Sequence, residues 1–137
     1  MNMKGVCVLS TGGTGGHVLP CIALATELND IGWEVIIFSD VRGLHYLDQN
    51  SNAYSIVLVN ISSETASLRK KCIELSHQIP FAALRAGRII ARKKPKFVVG
   101  FGGVSTFPIL LMSILLMRVL EPLWIPRDLA SILLRAR

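Results

Sequence analysis

Ten residues, Thr11-Gly12-Gly13-Thr14-Gly15-Gly16-His17-Val18-Leu19-Pro20, constrain this chain more than any other stretch. A short apolar run, Val6-Cys7-Val8-Leu9, precedes them. A helical pattern follows, with Leu19, Ile22, Ala23, Leu28 and Ile31 at mixed three- and four-residue spacing. The glycines therefore sit where a strand hands over to a helix. Four glycines in five positions let the backbone turn sharply and keep side chains away from its N–H groups. A helix starting right after them adds unpaired N–H groups and the positive end of its dipole. That is a phosphate-binding geometry. Two commoner phosphate loops are excluded by spacing. No Lys-Ser or Lys-Thr follows the glycines, as a Walker A loop requires. Counted from Gly13, the third glycine of the dinucleotide fingerprint falls on Val18.

The rest of the chain supplies a frame for that loop. The first strand is expected over 6–9 and the first helix over 18–31, with Gly32 as its C-terminal cap. Residues 34–39 are near-continuously apolar and rich in β-branched side chains, as in a parallel strand covered on both faces. Asp40 follows. An acid there can bind a ribose, but with the fingerprint rejected the better reading is a cap for a helix over 43–49. A third strand is expected over 54–61. From 66 to 94 the pattern is helical, and Pro80 is expected to divide it into two pieces. A fourth strand over 96–99 ends in a second glycine loop, Gly100-Phe101-Gly102-Gly103-Val104-Ser105-Thr106, before a helix over 107–117. Alternating strands and helices predict an α/β, doubly wound parallel sheet. Ligands of such sheets bind outside the carboxyl ends of the strands, so both glycine loops are expected to face one cleft.

Charge narrows the partners. The net charge is +6, and nine of the fifteen Lys and Arg lie between Arg69 and Lys96. Arg85, Arg88 and Arg92 share one helical face, with Ile79, Phe81 and Leu84 among them. This mixture suits an anionic membrane surface. Nucleic acid is the rival partner and is not expected, because Phe81 is the only aromatic residue accompanying the basic side chains. Cys7, Cys21 and Cys72 have no metal-ligand spacing, and an odd number of scattered thiols fits a reducing compartment. No signal peptide is read at the N-terminus. Residues 97–117 carry no charge, but Gly100, Gly102, Gly103 and Pro108 interrupt them. The remaining run, 109–117, is far shorter than the ~20 residues of a membrane span.

The first glycine stretch, followed far downstream by Lys94-Pro95-Lys96-Phe97-Val98-Val99-Gly100-Phe101-Gly102-Gly103, resembles the MurG family of bacterial N-acetylglucosaminyltransferases. The resemblance covers roughly residues 1–117. It implies the Rossmann-like N-terminal domain of a GT-B glycosyltransferase, which moves N-acetylglucosamine from UDP-N-acetylglucosamine to lipid I in peptidoglycan synthesis. It further implies a peripheral enzyme on the cytoplasmic face of the inner membrane. UDP-N-acetylglucosamine would be a substrate, with no tightly bound cofactor and no metal. Thr14, Gly15 and Gly16 would touch the donor. Gly12, Gly13, Gly102, Gly103, Ser105 and Thr106 would face the acceptor pyrophosphate. Ile79, Phe81, Leu84, Arg85 and Arg88 would meet the membrane.

The chain departs from the family after the second loop's helix. The family's next strand ends His-Glu-Gln-Asn, and its Asn helps hold the donor. Here Glu121 matches the Glu, while Pro122 and Leu123 replace the Gln and Asn. An acceptor-binding domain is thus expected over 1–118 and a divergent tail over 119–137, with the donor domain absent and a separate donor-domain chain as a possible partner. Two classes of function stay open: half of a transferase, inactive alone, or a non-enzymatic membrane-surface module or degenerate remnant that binds a lipid or nucleotide pyrophosphate or recruits a separate catalytic chain. His17 can act as the base that takes the acceptor's proton, or can be a structural or phosphate-contacting residue. Ser105 and Thr106 can donate to a phosphate or cap a helix. Surface roles are expected for His45 and His77.

Overall fold

A computed structural model describes residues 3–49, 51–59, 68–103 and 106–120, with 68–77 and 117–120 described through the backbone alone. Four strands form one parallel sheet: β1 (Gly5–Ser10), β2 (Trp33–Ser39), β3 (Ser55–Leu58) and β4 (Phe97–Gly100). Their order is β3-β2-β1-β4. Cys7 lies beside Val35 on one edge of β1 and beside Phe97 on the other. The helices are α1 (Gly15–Asp30), α2 (Leu68–Lys93) and α3 (Thr106–Leu120).

Strand periodicity sorts the core into two halves. Cys7, Leu9, Val35, Ile37 and Phe97 point to one face and pack with Val18, Cys21, Leu24, Ala25 and Leu28 of α1. Val8, Ile36 and Phe38 point to the other and meet Ala82, Ala86 and Ile90 of α2 and Ile109 of α3. Because both faces are covered, β1 and β2 are almost wholly apolar rather than alternating. This is the doubly wound α/β sheet that the sequence predicts.

Three elements differ from expectation. Helix α1 begins at Gly15, three residues before the expected start, so Gly15, Gly16 and His17 form its first turn. The hydrogen bonds of His17 N–H and Val18 N–H to the Thr14 carbonyl, 3.0 and 3.3 Å, close that turn early. The expected helix over 43–49 is only a 3-10 turn, Gly43–Tyr46. Leu47 leaves it with extended dihedrals, φ −92 and ψ 130, because its side chain turns into the core. Finally, α2 is one helix and not two, since it runs through Pro80. Pro80 is exposed, so its ring does not crowd the core. Ala82, Ala86 and Ile90 meanwhile hold the opposite face on the sheet, and Gly87 lets α3 approach closely enough that a Cβ there would lie 2.8 Å from Met112 Cε. The helix stops where Lys94 takes a left-handed φ of 46 and its N–H returns to the Ile90 carbonyl at 2.8 Å.

Candidate functional site

Strands β1 and β4 are neighbours, so the loops leaving their carboxyl ends are neighbours too. The contact is close. A Cβ at Gly102 would lie 3.0 Å from His17 Cε1 and 3.1 Å from its Nδ1. A Cβ at Gly103 would lie 3.0 Å from the Gly12 carbonyl oxygen. The His17 ring therefore rests on the second loop, and any residue larger than glycine at 102 or 103 would separate the two. The sequence's expectation of one shared cleft agrees with this arrangement.

Sheet and loops are tied by hydrogen bonds at three levels. Phe101 N–H donates to the Ser10 carbonyl at 2.8 Å. Ser10 Oγ donates to Thr106 Oγ1 at 3.3 Å, and Thr106 Oγ1 donates to the Gly102 carbonyl at 2.8 Å. Thr106 is only 4% exposed. Its hydroxyl links the second loop to β1 through these two bonds. Ser105 and the tail 121–137 lie outside the described residues, as do the side chains of Arg69, Lys70, Lys71 and His77.

The first loop presents its donors differently. Thr14 is the N-cap of α1 in an extended conformation, φ −113 and ψ 156, and its side chain makes no capping bond. Thr14, Gly16 and His17 are exposed, Gly13 and Gly15 half-buried and Gly12 buried. The N–H groups of Gly15 and Gly16 open the helix, where no intrahelical acceptor exists for them. Thr11 Oγ1, at the root of the loop, is buried without a hydrogen-bond partner. An anion at the helix start would meet these N–H groups and the positive end of the helix dipole.

Three further residues reach this loop that sequence reasoning did not assign to it. Asp40, at the end of β2, accepts a hydrogen bond from Gly13 N–H at 3.0 Å. It also accepts one from Gly43 N–H at 2.8 Å, the capping role expected of it. Arg42 pairs with Asp40 at 3.2 Å and lies over the loop: a Cβ at Gly13 would be 3.6 Å from Arg42 Nη2. Tyr46 flanks Gly15, where a Cβ would be 3.1 Å from its ring. The signal for all three was topological. They follow β2, which lies beside β1, so their loop adjoins the glycines in space.

On the outer surface of α2, Phe81 is 76% and Leu84 55% exposed, Arg85 and Arg88 are exposed, and Ile79 is half-buried. Phe107, Leu111, Ile114 and Leu115 of α3 are exposed as well. No helix among the described residues is long and apolar enough to cross a membrane. Among the described residues, no group of three or more His, Cys, Asp or Glu could hold a metal ion. His45 is exposed on the 3-10 turn, in line with a surface role.

Comparison with known proteins bears on the same residues. A profile of the glycosyltransferase family 28 N-terminal domain matches residues 7–120. A protein of Sinorhizobium fredii named UDP-N-acetylglucosamine--N-acetylmuramyl-(pentapeptide) pyrophosphoryl-undecaprenol N-acetylglucosamine transferase is 39% identical over 113 residues, covering 80% of this chain and 29% of that protein. A protein of the same name from Rhodospirillum centenum is 36% identical over 103 residues, 74% of this chain and 26% of its own length. The crystal structure of Acinetobacter baumannii MurG superposes with a TM-score of 0.68 at 26% identity, over 82% of this chain and 33% of that one. The chain spans under a third of the length of these two curated relatives.

Proposed function

This chain belongs to the glycosyltransferase family 28 N-terminal domains, and on that premise we propose that it is the acceptor-binding part of an N-acetylglucosaminyltransferase acting on lipid I in peptidoglycan synthesis. Residues 1–118 form the acceptor domain in this reading and 119–137 a divergent tail. UDP-N-acetylglucosamine is the second substrate, held mainly by a donor domain outside these residues, on a further stretch of chain or a separate subunit. The contact of His17 with Gly102 supports the proposal, because it sets the two loops of different strands side by side, where one ligand would meet both.

In the proposed reaction the acceptor hydroxyl attacks C1 of the sugar and UDP leaves. His17, at the rim of both loops, takes the hydroxyl proton. The N–H groups of Gly15 and Gly16 stabilise phosphoryl oxygens, and the second loop closes the site from the side. Thr14, next to them and exposed, would touch the donor in this reading. Docking to an anionic membrane on the cytoplasmic side would bring the lipid acceptor within reach. The exposed Phe81 and Leu84 would enter the interface, while Arg85 and Arg88 meet the head groups.

Gly16 offers the sharpest test. A Cβ there would meet only Thr14 Oγ1, at 3.8 Å, and Gly16 is exposed, so the position is open in the free protein. Gly15→Val is less clean, because its side chain would also displace Tyr46. Gly16→Val is expected to fold normally and to lose binding of a soluble lipid-pyrophosphate analogue in a calorimetric titration. Wild-type affinity in the folded variant would reduce the loop to a turn.

A further inference from the structure

Asp40 is 2% exposed at the carboxyl end of β2, and the structure uses both of its oxygens. Oδ1 accepts from Gly13 N–H at 3.0 Å and from Gly43 N–H at 2.8 Å. Oδ2 accepts from Arg42 Nη2 at 3.2 Å. A carboxylate held away from water needs such partners. An acid at this strand end in dinucleotide folds binds a ribose. Here its oxygens are turned to the protein's own backbone and to Arg42 instead.

We infer that Asp40 is a positioning residue for the phosphoryl-binding loop. Gly13 has φ +83, a conformation that L side chains rarely adopt. The bond from its N–H to Asp40 holds that conformation, and with it the direction in which the chain enters α1. Two residues later come the open N–H groups of Gly15 and Gly16. Asp40 thus aims donors it does not itself touch. The same oxygen fixes Gly43 and so the turn that carries Tyr46 beside Gly15. Arg42 balances the negative charge that would otherwise stand next to a bound anion. This inference rests on the phosphoryl-binding reading of the loop.

The test uses the 137-residue chain, with inorganic pyrophosphate and a short-chain prenyl diphosphate as probes. Asp40→Ala removes both backbone N–H bonds together with the Arg42 pair and is expected to weaken binding by about tenfold or more, the size of one or two lost hydrogen bonds to a charged group. Asp40→Asn keeps an Oδ1 that can accept both N–H groups and is expected to stay within about threefold of wild type. Rescue by the amide separates hydrogen-bond acceptance from charge. A folded Asp40→Ala variant that binds like wild type overturns the inference, and so does an Asn variant as weak as Ala. Should the Ala variant fail to fold, amide hydrogen exchange of the wild type decides. Gly13 and Gly43 N–H are expected to be protected relative to Thr14, and a Gly13 amide exchanging as freely as Thr14 overturns it. If the wild type binds neither probe, the phosphoryl reading fails on its own, while the exchange result still judges the Asp40 bonds.

Discussion

The thiols of Cys7 and Cys21 show how completely single side chains are committed to the core. Burial pushes Cys7 from its ordinary 9.0 up to about 12, with the Glu34 charge adding to the shift and its own backbone hydrogen bond opposing it. Burial, then the neighbouring Cys7, does the same to Cys21. The protonated forms are favoured in the folded state. Their contribution to stability is therefore full below pH ~9 and is lost as the pH rises toward 12, because the unfolded chain releases these protons first. In a Cys72→Ser background, both thiols are expected to resist alkylation at pH 8 until denaturant is added; rapid labelling of the native protein would contradict their burial. His17 has the opposite character, exposed and at the rim of two loops. In an assembly with a donor domain, His17→Gln should lower kcat by about two orders of magnitude with little change in KM, since the amide can still rest on Gly102 but cannot take the proton. A loss smaller than tenfold would leave the ring only a packing role. The residue scale is also where the sequence was least legible. Asp40 reads as a cap, and it is one, but nothing in the linear order shows its second bond to Gly13, because that contact exists only once β1 and β2 lie side by side.

Among the elements, α2 gives the clearest case of a local rule yielding to packing. Pro80 reads as a break, yet the helix continues because its buried face is held by the sheet and α3 while the proline faces water. The penalty is still present. Pro80→Ala should restore an N–H donor and raise stability by about 1–3 kcal/mol, seen as a higher urea midpoint; a lowered midpoint would mean the proline shapes the helix usefully. The outer face of α2 can be tested apart from its fold. Arg85→Glu with Arg88→Glu, and separately Phe81→Ala, should each reduce co-sedimentation with anionic vesicles, and rising salt should do the same for wild type. Equal binding to neutral vesicles would remove the electrostatic part of this reading. The glycine-bounded strands and the existence of the three α-helices were legible, because short apolar runs between turn residues and period-3.6 patterns do not depend on partners. Helix α1 was placed three residues late because glycine has a low helix propensity, and no local signal shows that the turn at Thr14 already closes hydrogen bonds.

At the scale of the whole molecule, the doubly wound architecture followed from the alternation of strands and helices, and the structure adds the strand order that brings the glycine loops together. The relatives are more than three times as long as the matched segment. The 137-residue polypeptide by itself is accordingly expected not to transfer N-acetylglucosamine from UDP-N-acetylglucosamine to lipid I, and to do so only when a donor domain is supplied. Turnover by the purified polypeptide, measured with radiolabelled sugar nucleotide, would refute this. The strand order has one more consequence, and it concerns time. Strand β1 is made first but lies inside the sheet, with β2 on one edge and β4 on the other. A nascent chain can pair β1 with β2 early, yet the other edge of Cys7, Val8 and Leu9 stays open until β4 has left the ribosome. Such an edge is a template for pairing with other chains, and long-range closure of this kind is slow. The last pairing to form therefore both covers the open edge of β1 and sets Gly102 against His17, so that the two glycine loops meet only once the final strand has joined.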